Sequence, residues 1–168
     1  MVVVTEDLHR MRSTHSVRYG TAMAMKDIGN ESIDLVVTSP PYPMIEMWDQ
    51  VFSNQSDEVK EAMNKSDGNR AFELMHSLLD CAWHEVYRVL KPGAFACINI
   101  GDATRTIKDH FRLYSNHARI LNYCLSLGFS IGLRLSGGSR QMLRTSSWGQ
   151  VCFPLVHTSR LSMNSYLC

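Results

Sequence analysis

The chain has 168 residues, of which 45% are hydrophobic and 20% charged, and its formal net charge is +1. This composition indicates one soluble globular domain or part of a larger protein, without an overall electrostatic attraction to nucleic acid. No apolar run reaches the roughly 20 residues that cross a bilayer, and the N-terminal residues do not resemble a signal peptide. The five widely spaced cysteines favour a reduced, cytoplasmic protein, and the seven histidines follow no metal-binding spacing.

The first predicted elements are short. Residues 16–20 alternate weakly and predict a strand, and residues 21–28 predict one short helix. After a turn at residues 29–32, the run IDLVVT (33–38) is continuous and β-branched, which predicts a buried strand. Apolar residues without alternation indicate burial on both faces, as in a parallel sheet. Residues 43–69 form a polar insert that we expect to be exposed and partly helical.

The clearest helical pattern runs from Arg70 to Leu90. Apolar residues recur there at steps of three and four, namely Phe72, Met75, Leu79, Ala82, Val86 and Leu90. Lys91-Pro92-Gly93 ends this helix, and AFACINIG (94–101) predicts a second buried strand. An amphipathic segment at about 107–127 predicts a further helix, and residues 129–135 a third strand.

This alternation of strands and helices predicts an α/β fold with a mostly parallel sheet. Binding sites in such sheets lie beyond the carboxyl ends of the strands. Two polar segments, Ser39–Tyr42 and Gly101-Asp102, directly follow predicted strands. We therefore expect the functional site to contain both.

The segment SPPY has an unusual combination of chemical properties. Proline fixes φ, has no amide hydrogen and pushes the preceding residue toward extended geometry. Ser39-Pro40-Pro41 is thus predicted to be a stiff loop with free carbonyl oxygens, suited to accept hydrogen bonds from an amine. Tyr42 adds a flat ring for stacking, so the implied ligand is planar, aromatic and carries an exocyclic amine. On these four residues alone, a simple turn is the alternative interpretation.

TSPPY preceded by DLVV resembles the catalytic motif of the amino-group DNA methyltransferases, and its S-P-P-Y form is most similar to the cytosine-N4 enzymes. VRYGTAMAMKDIGNESIDLVVTSPPY is similar to the usual run-up of that family, although Gly20-Thr21 stands where Gly-Asp is frequent. PMIEMWD resembles the sequence after the motif in one restriction-modification branch, and VYRVLKPGAFACINIGD the next helix, loop and strand. The resemblance covers about residues 15–133.

The resemblance implies a Rossmann-like fold, S-adenosylmethionine as methyl donor, and double-stranded DNA from which the target base is flipped out. Ser39 Oγ and the Pro40 carbonyl would accept hydrogen bonds from the cytosine N4 amine, which attacks the methyl group directly. Pro41 would hold the shape of the loop, and Tyr42 would stack on the base. Adenine-N6 methylation is the alternative within the family. An inactive remnant that only binds DNA or a partner is the alternative outside it.

Thr38, Gly101 and Asp102, at the carboxyl ends of the two predicted strands, are the candidate cofactor contacts. From its position alone, Asp102 is equally interpreted as a solvated strand end or a helix cap. Surface cations that we consider as candidate phosphate contacts are Lys60, Lys65, Arg105, Lys108 and Arg112.

The chain departs from the family pattern toward its C-terminus. The Gly-rich loop F-x-G-x-G, which approaches S-adenosylmethionine in the family, is missing, and Gly137-Gly138 is the nearest candidate. Residues 134–168 contain no Asp or Glu. Codon degeneracy allows the codons of 137–148, shifted by one base, to spell WRKQTNAPNKFM, which has the tryptophan, lysine and proline of the family pattern W-x-K-x-N-x-x-P, with its asparagine one position later.

We therefore divide the chain into a catalytic-motif portion at 1–133 and an atypical tail at 134–168, translated out of frame or disordered. A divergent genuine tail is the alternative, and the gene sequence decides between them. A chain truncated in this way is expected to expose strand edges and apolar faces. We expect it to have little activity alone and to associate with a completing chain or with a second copy.

Overall fold

The computed structural model describes residues 2–8, 11–131 and 150–157. The strands are β1 (Val2–Leu8), β2 (Met11–Val17), β3 (Ile33–Thr38), β4 (Leu90–Gly101), β5 (Ala103–Ile107), β6 (His110–Tyr114), β7 (Phe129–Ile131) and β8 (Gln150–His157). The helices are α1 (Asp49–Gln55), α2 (Asp57–Asn64), α3 (Gly68–Val89) and α4 (Asn116–Leu127), with a 3-10 turn at Glu46–Trp48 before α1. None of the described helices is long and apolar enough to span a membrane.

The central sheet has the strand order β3-β4-β8-β7. β3 and β4 are parallel, with α3 connecting them, whereas β8 runs antiparallel to both of its neighbours. The predicted α/β class is confirmed, and the parallel pair consists of the two strands predicted at 33–38 and 94–101. The described part of the sheet is mixed because β8 lies between β4 and β7, so the third predicted strand does not pair with the second.

The predicted C-terminal tail is described only in part. Residues 150–157 form β8, while 134–149 and 158–168 lie outside the described residues, as does 132–135 of the third predicted strand. The division at residue 133 and the out-of-frame hypothesis therefore remain predictions that the gene sequence can check.

The helix predicted at 107–127 is wrong over its first half. A hairpin of β5 and β6 occupies 103–114, and α4 begins only at Asn116. Lys108 and Asp109 form the two-residue turn with φ of 47° and 64°, as in the turns that match the twist of a hairpin. The β-branched and aromatic residues on both sides of this turn favour strands, which overrides the weak helical spacing.

Residues 21–28 were expected to form a helix and instead form turns. The reason is a set of contacts to the end of α3. The Glu85 carboxylate accepts a hydrogen bond from the Met25 amide, and Arg88 donates to the carbonyl oxygens of Met25 and Ile28. Arg88 and Glu85 also pair with each other at 2.8 Å. Backbone groups that a helix would use internally are thus bound by another element.

The core lies on one face of the sheet. Ala96, Ile98 and Ile100 of β4 are buried together with Met75 and other apolar residues of α3 in one hydrophobic cluster. On the opposite face, Leu35, Val37 and Phe95 are 55%, 72% and 46% exposed. The described chain therefore covers one face of β3 and β4 and leaves the other open.

Candidate active site

The loop after β3 lies at the carboxyl end of the parallel pair. Thr38 is the last residue of β3 and pairs with Ile98 of β4. Ser39 is exposed, whereas Pro40 and Pro43 are buried. The prolines have no amide hydrogen that would need a partner inside the protein, so their burial costs no unpaired donor. The predicted corner, Ser39–Tyr42, thus forms at the edge of the sheet where α/β folds bind ligands.

Three side chains form a hydrogen-bonded chain at the corner. Ser39 Oγ lies 3.1 Å from the Tyr42 hydroxyl oxygen, and Asn99 Nδ2 donates to that hydroxyl over 3.4 Å. Whichever hydroxyl donates to the other, Ser39 Oγ keeps a lone pair free. The Pro40 carbonyl oxygen accepts no hydrogen bond from the residues that the structure describes. The corner therefore offers two acceptors next to a half-buried aromatic ring.

Asn99 is a site residue that the sequence interpretation missed. It lies on β4, within the otherwise apolar run ACINIG. An asparagine in an otherwise apolar strand needs a hydrogen-bond partner, and this was the signal in the sequence that could have singled it out. The partner, Tyr42, lies 57 residues away in the chain, so the sequence alone gave no indication of it.

The end of β4 is close to the start of α4, and the two predicted cofactor residues there bond to α4. The Gly101 carbonyl accepts a hydrogen bond from Asn116 Nδ2 at 2.9 Å. Asp102 Oδ1 accepts from the His117 amide at 3.1 Å, and Oδ2 accepts from Ser115 Oγ at 3.2 Å. Asp102 thus caps α4 in this structure. Contacts of Gly101 and Asp102 with a cofactor remain a prediction.

Thr38, the third predicted cofactor residue, lies in the wall of a cavity of about 380 Å³. Pro40, Pro41 and apolar residues of α3, including Trp83, line the same cavity. Trp83 Nε1 is buried and has no hydrogen-bond partner within the described part of the chain. The lining residues carry no charge. The cavity is therefore suited to an uncharged group next to the back of the corner.

Most of the candidate phosphate contacts are already engaged by protein groups. Arg105 forms a two-pronged ion pair with Asp49 at 2.8 and 2.7 Å, and both side chains are largely withdrawn from solvent. The other contacts join Lys65 to Glu61, Lys108 to the Lys65 carbonyl, and Arg112 to Asn69. Phosphate binding by these cations remains a prediction. The described residues contain no group of three or more potential metal ligands.

His76 of α3 is fully buried behind the site. Its Nε2 lies 3.0 Å from Asn116 Oδ1, while Asn116 Nδ2 faces two carbonyl oxygens. Carbonyl oxygens only accept, so the amide orientation is fixed and His76 must donate through Nε2. Burial is the main reason that the pKa of His76 falls to about 4, with the hydrogen bond to Asn116 opposing this and the charge of Arg119 adding to it.

This buried histidine predicts a pH dependence of stability. The folded pKa lies below the ordinary value of 6.5, so the unfolded chain binds the proton first and stability falls as the pH drops from about 6.5 to 4. We expect the contribution of His76 to the free energy of unfolding to fall by about 2 kcal/mol between pH 7 and pH 5. The free energy of unfolding, measured with urea across this range, should depend less steeply on pH in His76→Phe than in the wild type. The exposed His84, changed to Gln, is the control, and an unchanged slope in His76→Phe would contradict the prediction.

Comparisons with known proteins identify the family. Residues 33–131 match the N6/N4 methyltransferase family model, described as DNA methylase. Type II methyltransferase M.MthZI of Methanothermobacter thermautotrophicus is 43% identical over 122 residues, which are 72% of this chain and 34% of that protein. Type II methyltransferase M.MjaI of Methanocaldococcus jannaschii is 46% identical over 128 residues, with coverages of 70% and 42%. The chain thus spans well under half the length of these curated relatives.

Solved structures give the same fold. TTHA0409 of Thermus thermophilus, described as a putative DNA modification methylase, superposes with a TM-score of 0.56 over 83% of this chain and 52% of that one, at 21% identity. Its structure complexed with S-adenosyl-L-methionine gives the same values. This likeness concerns the fold alone, whereas the family model matches residues 33–131 of the 168. The chain therefore belongs to the N6/N4 family of DNA methylases.

Proposed function

We propose that this chain carries the catalytic corner of a cytosine-N4 DNA methyltransferase, which acts in the cytoplasm as part of a restriction-modification system. Its methyl donor is S-adenosylmethionine, and its substrate is a cytosine flipped out of double-stranded DNA. The observation that carries the proposal is the pair of acceptors beside the Tyr42 ring: Ser39 Oγ, and the Pro40 carbonyl oxygen, which accepts no hydrogen bond from the described residues. Acceptors paired in this way suit an amine that has two hydrogens to donate.

The mechanism follows from what these acceptors do to the amine. The lone pair of an exocyclic amine is conjugated with the ring, and two hydrogen bonds to its hydrogens draw it out of conjugation toward the methyl donor. Positive charge develops on the nitrogen during attack, so both hydrogen bonds strengthen in the transition state. Tyr42 stacks on the base and offsets part of the cost of flipping, and Pro41 restricts the loop. As the bond from the nitrogen to the methyl carbon forms, the bond from that carbon to sulfur would break, so that a neutral thioether leaves, and the nitrogen would then lose one of its hydrogens to an acceptor at the corner or to water. No covalent enzyme intermediate is needed.

S-adenosylmethionine would supply an electrophilic methyl group on a sulfonium sulfur. The cavity behind the corner fits the uncharged adenosyl portion of this molecule, since its lining is largely apolar and carries no charge. Thr38 adds a hydroxyl to the same wall. The charged amino-acid end finds no opposite charge in the cavity lining, so groups outside this cavity must hold it. Gly101 and Asp102 remain candidates for that contact.

Adenine-N6 methylation is the second candidate, because the 6-amino group of adenine presents the same two hydrogens to the same acceptors. The family model that matches this chain covers both N6 and N4 enzymes. The S-P-P-Y form of the corner favours cytosine.

The products of the reaction distinguish cytosine-N4 from adenine-N6 methylation. DNA incubated with S-adenosylmethionine and the chain, together with any completing partner, is digested to nucleosides and measured by mass spectrometry. N4-methylcytosine supports the proposal, and N6-methyladenine supports the second candidate. DNA binding without either product indicates a remnant that only binds. Calorimetry with S-adenosylmethionine adds a separate test, since tight binding by the 168 residues alone would contradict the expected need for a completing chain.

The open face of the sheet supports a proposal about the partner. Leu35, Val37 and Phe95 are exposed on this face, and β3 is the edge strand of the described sheet. Parallel strands are normally covered on both faces, and an unpaired apolar edge favours association. We propose that a second polypeptide carrying methylase elements covers this face, with a homodimer as the alternative.

Substitution of the open face tests this partner proposal. We expect Leu35→Lys with Val37→Lys to abolish association with the complementary segment of a methylase, because two charges replace exposed apolar contacts. Phe111→Lys is the matched control, since Phe111 is 72% exposed on the β5–β6 hairpin. Sedimentation of the chain alone distinguishes a homodimer. A wild-type chain that stays monomeric with and without the complementary segment would rule the proposal out.

A further inference from the structure

The turn that follows the Ser39–Tyr42 corner has an unusual backbone. Met44 has a φ of +67°, in the left-handed region that bulky side chains rarely adopt. Its side chain is only 1% exposed. Conformations of this kind cost about 1–3 kcal/mol and persist only where the surroundings impose them. The turn at Pro43–Met44 therefore needs a group that holds it.

Asn116 is placed to hold this turn. It is fully buried at the first residue of α4, and its Nδ2 donates to the carbonyl oxygens of Pro43 at 3.0 Å and Gly101 at 2.9 Å. Its Oδ1 accepts from His76 Nε2 at 3.0 Å. One amide group thus joins the catalytic loop, the end of β4 and the middle of α3. Both of its hydrogens are used, so no water is needed to satisfy it.

We infer that Asn116 is a positioning residue for the Ser39–Tyr42 corner, which it holds by bonding the strained Pro43–Met44 turn to the end of β4. Asn116 acts through Pro43 and does not touch the reacting atoms. The consequence for methyl transfer rests on the proposed function, but the effect on the loop does not. An aspartate cannot replace it, because an ionised carboxylate has no hydrogen to donate and would place a charge against two carbonyl oxygens.

Hydrogen exchange of the full chain tests the inference by NMR. The probe is the Ile45 amide, which donates to the Tyr42 carbonyl at 3.2 Å across the turn. In Asn116→Ala we expect this amide to exchange at least about tenfold faster, while amides inside α3, such as that of Leu79, change much less. Asn122→Ala is the matched control, since Asn122 is an exposed asparagine on the same helix. In methyl transfer, we expect kcat to fall about tenfold or more with little change in the KM for DNA.

A second variant keeps the inference testable if Asn116→Ala does not fold. His76→Phe removes the donor to Asn116 Oδ1, which leaves the Asn116 amide less firmly oriented toward the Pro43 carbonyl. We therefore expect the Ile45 amide to exchange about threefold faster. Unchanged Ile45 exchange in the variant that folds, or an equal acceleration throughout α3, overturns the inference. A wild-type chain that transfers no methyl group with its partner, while Ile45 still responds to Asn116, contradicts the proposed function and leaves the positioning role intact.

Discussion

Ser39→Ala is expected to slow methyl transfer by about 10²–10³-fold in an assembly that carries out the reaction. The variant removes one of the two acceptors that draw the amine lone pair out of conjugation, and the bond it loses is strongest in the transition state. Folding should change little, because Ser39 is exposed and its Oγ bonds only to the Tyr42 hydroxyl among the described residues. Transfer of labelled methyl from S-adenosylmethionine to duplex DNA, measured in a single turnover, gives the rate.

Ser77→Ala is the matched control for this prediction. Ser77 is an exposed serine of α3 whose Oγ donates to the Glu73 carbonyl within the helix. We expect its rate to equal that of the wild type. If Ser39→Ala kept more than about a tenth of the wild-type rate, the serine hydroxyl would not be an essential acceptor, and the carbonyl of Pro40 would have to supply the effect alone.

The central elements of the fold were predictable because their signals are local. The continuous apolar run at 33–38 forms β3 with the same bounds, Ile33–Thr38. The long helical stripe predicted at 70–90 forms α3 at Gly68–Val89, where Asp67 caps the first turn by accepting from the Arg70 amide. Strong periodicity over about six turns and a clear cap leave little for distant contacts to change.

The elements that were predicted wrongly depend on weak local signals or distant contacts. In the segment predicted as a helix at 107–127, positive φ at Lys108 and Asp109 reverses the chain and divides it into a hairpin and a shorter helix. Residues 21–28 are bound by Arg88 and Glu85, some 60 residues further along the chain. Such contacts decide marginal segments, and a single sequence does not reveal them.

Only part of the candidate site could be predicted from the sequence. The acceptor corner could be predicted because proline determines its own backbone and removes its own donor. The groups that surround the corner could not be predicted, since their roles exist only in the folded chain. Asn116 lies 73 residues from Pro43, and Asn99 lies 57 residues from Tyr42. Asp102 has partners that the motif does not indicate, because its Oδ1 accepts from the His117 amide in the first turn of α4 and its Oδ2 accepts from Ser115 Oγ.

Tyr42→Ala should lower kcat/KM for duplex DNA by up to roughly 100-fold, because stacking of an aromatic side chain on a base is worth about 1–3 kcal/mol. Tyr42→Phe keeps the ring and loses only the hydroxyl contacts with Ser39 and Asn99. We expect kcat/KM of Tyr42→Phe to fall about fivefold, which is the effect of one ordinary hydrogen bond. A fluorescent base analogue at the target position reports flipping directly, and it should respond to Tyr42→Ala and not to Tyr42→Phe.

The comparison of the two variants decides what Tyr42 does. Tyr19→Ala serves as control, since Tyr19 is 92% exposed and lies before the motif. If kcat/KM fell equally in Tyr42→Phe and Tyr42→Ala, the ring would contribute nothing by stacking. The role of Tyr42 would then be to orient the Ser39 hydroxyl. In that case Asn99→Ala should reproduce much of the Tyr42→Phe loss, because Asn99 donates to the same hydroxyl. The stacking role holds only if the ring alone, without its hydroxyl, supports most of the base flipping.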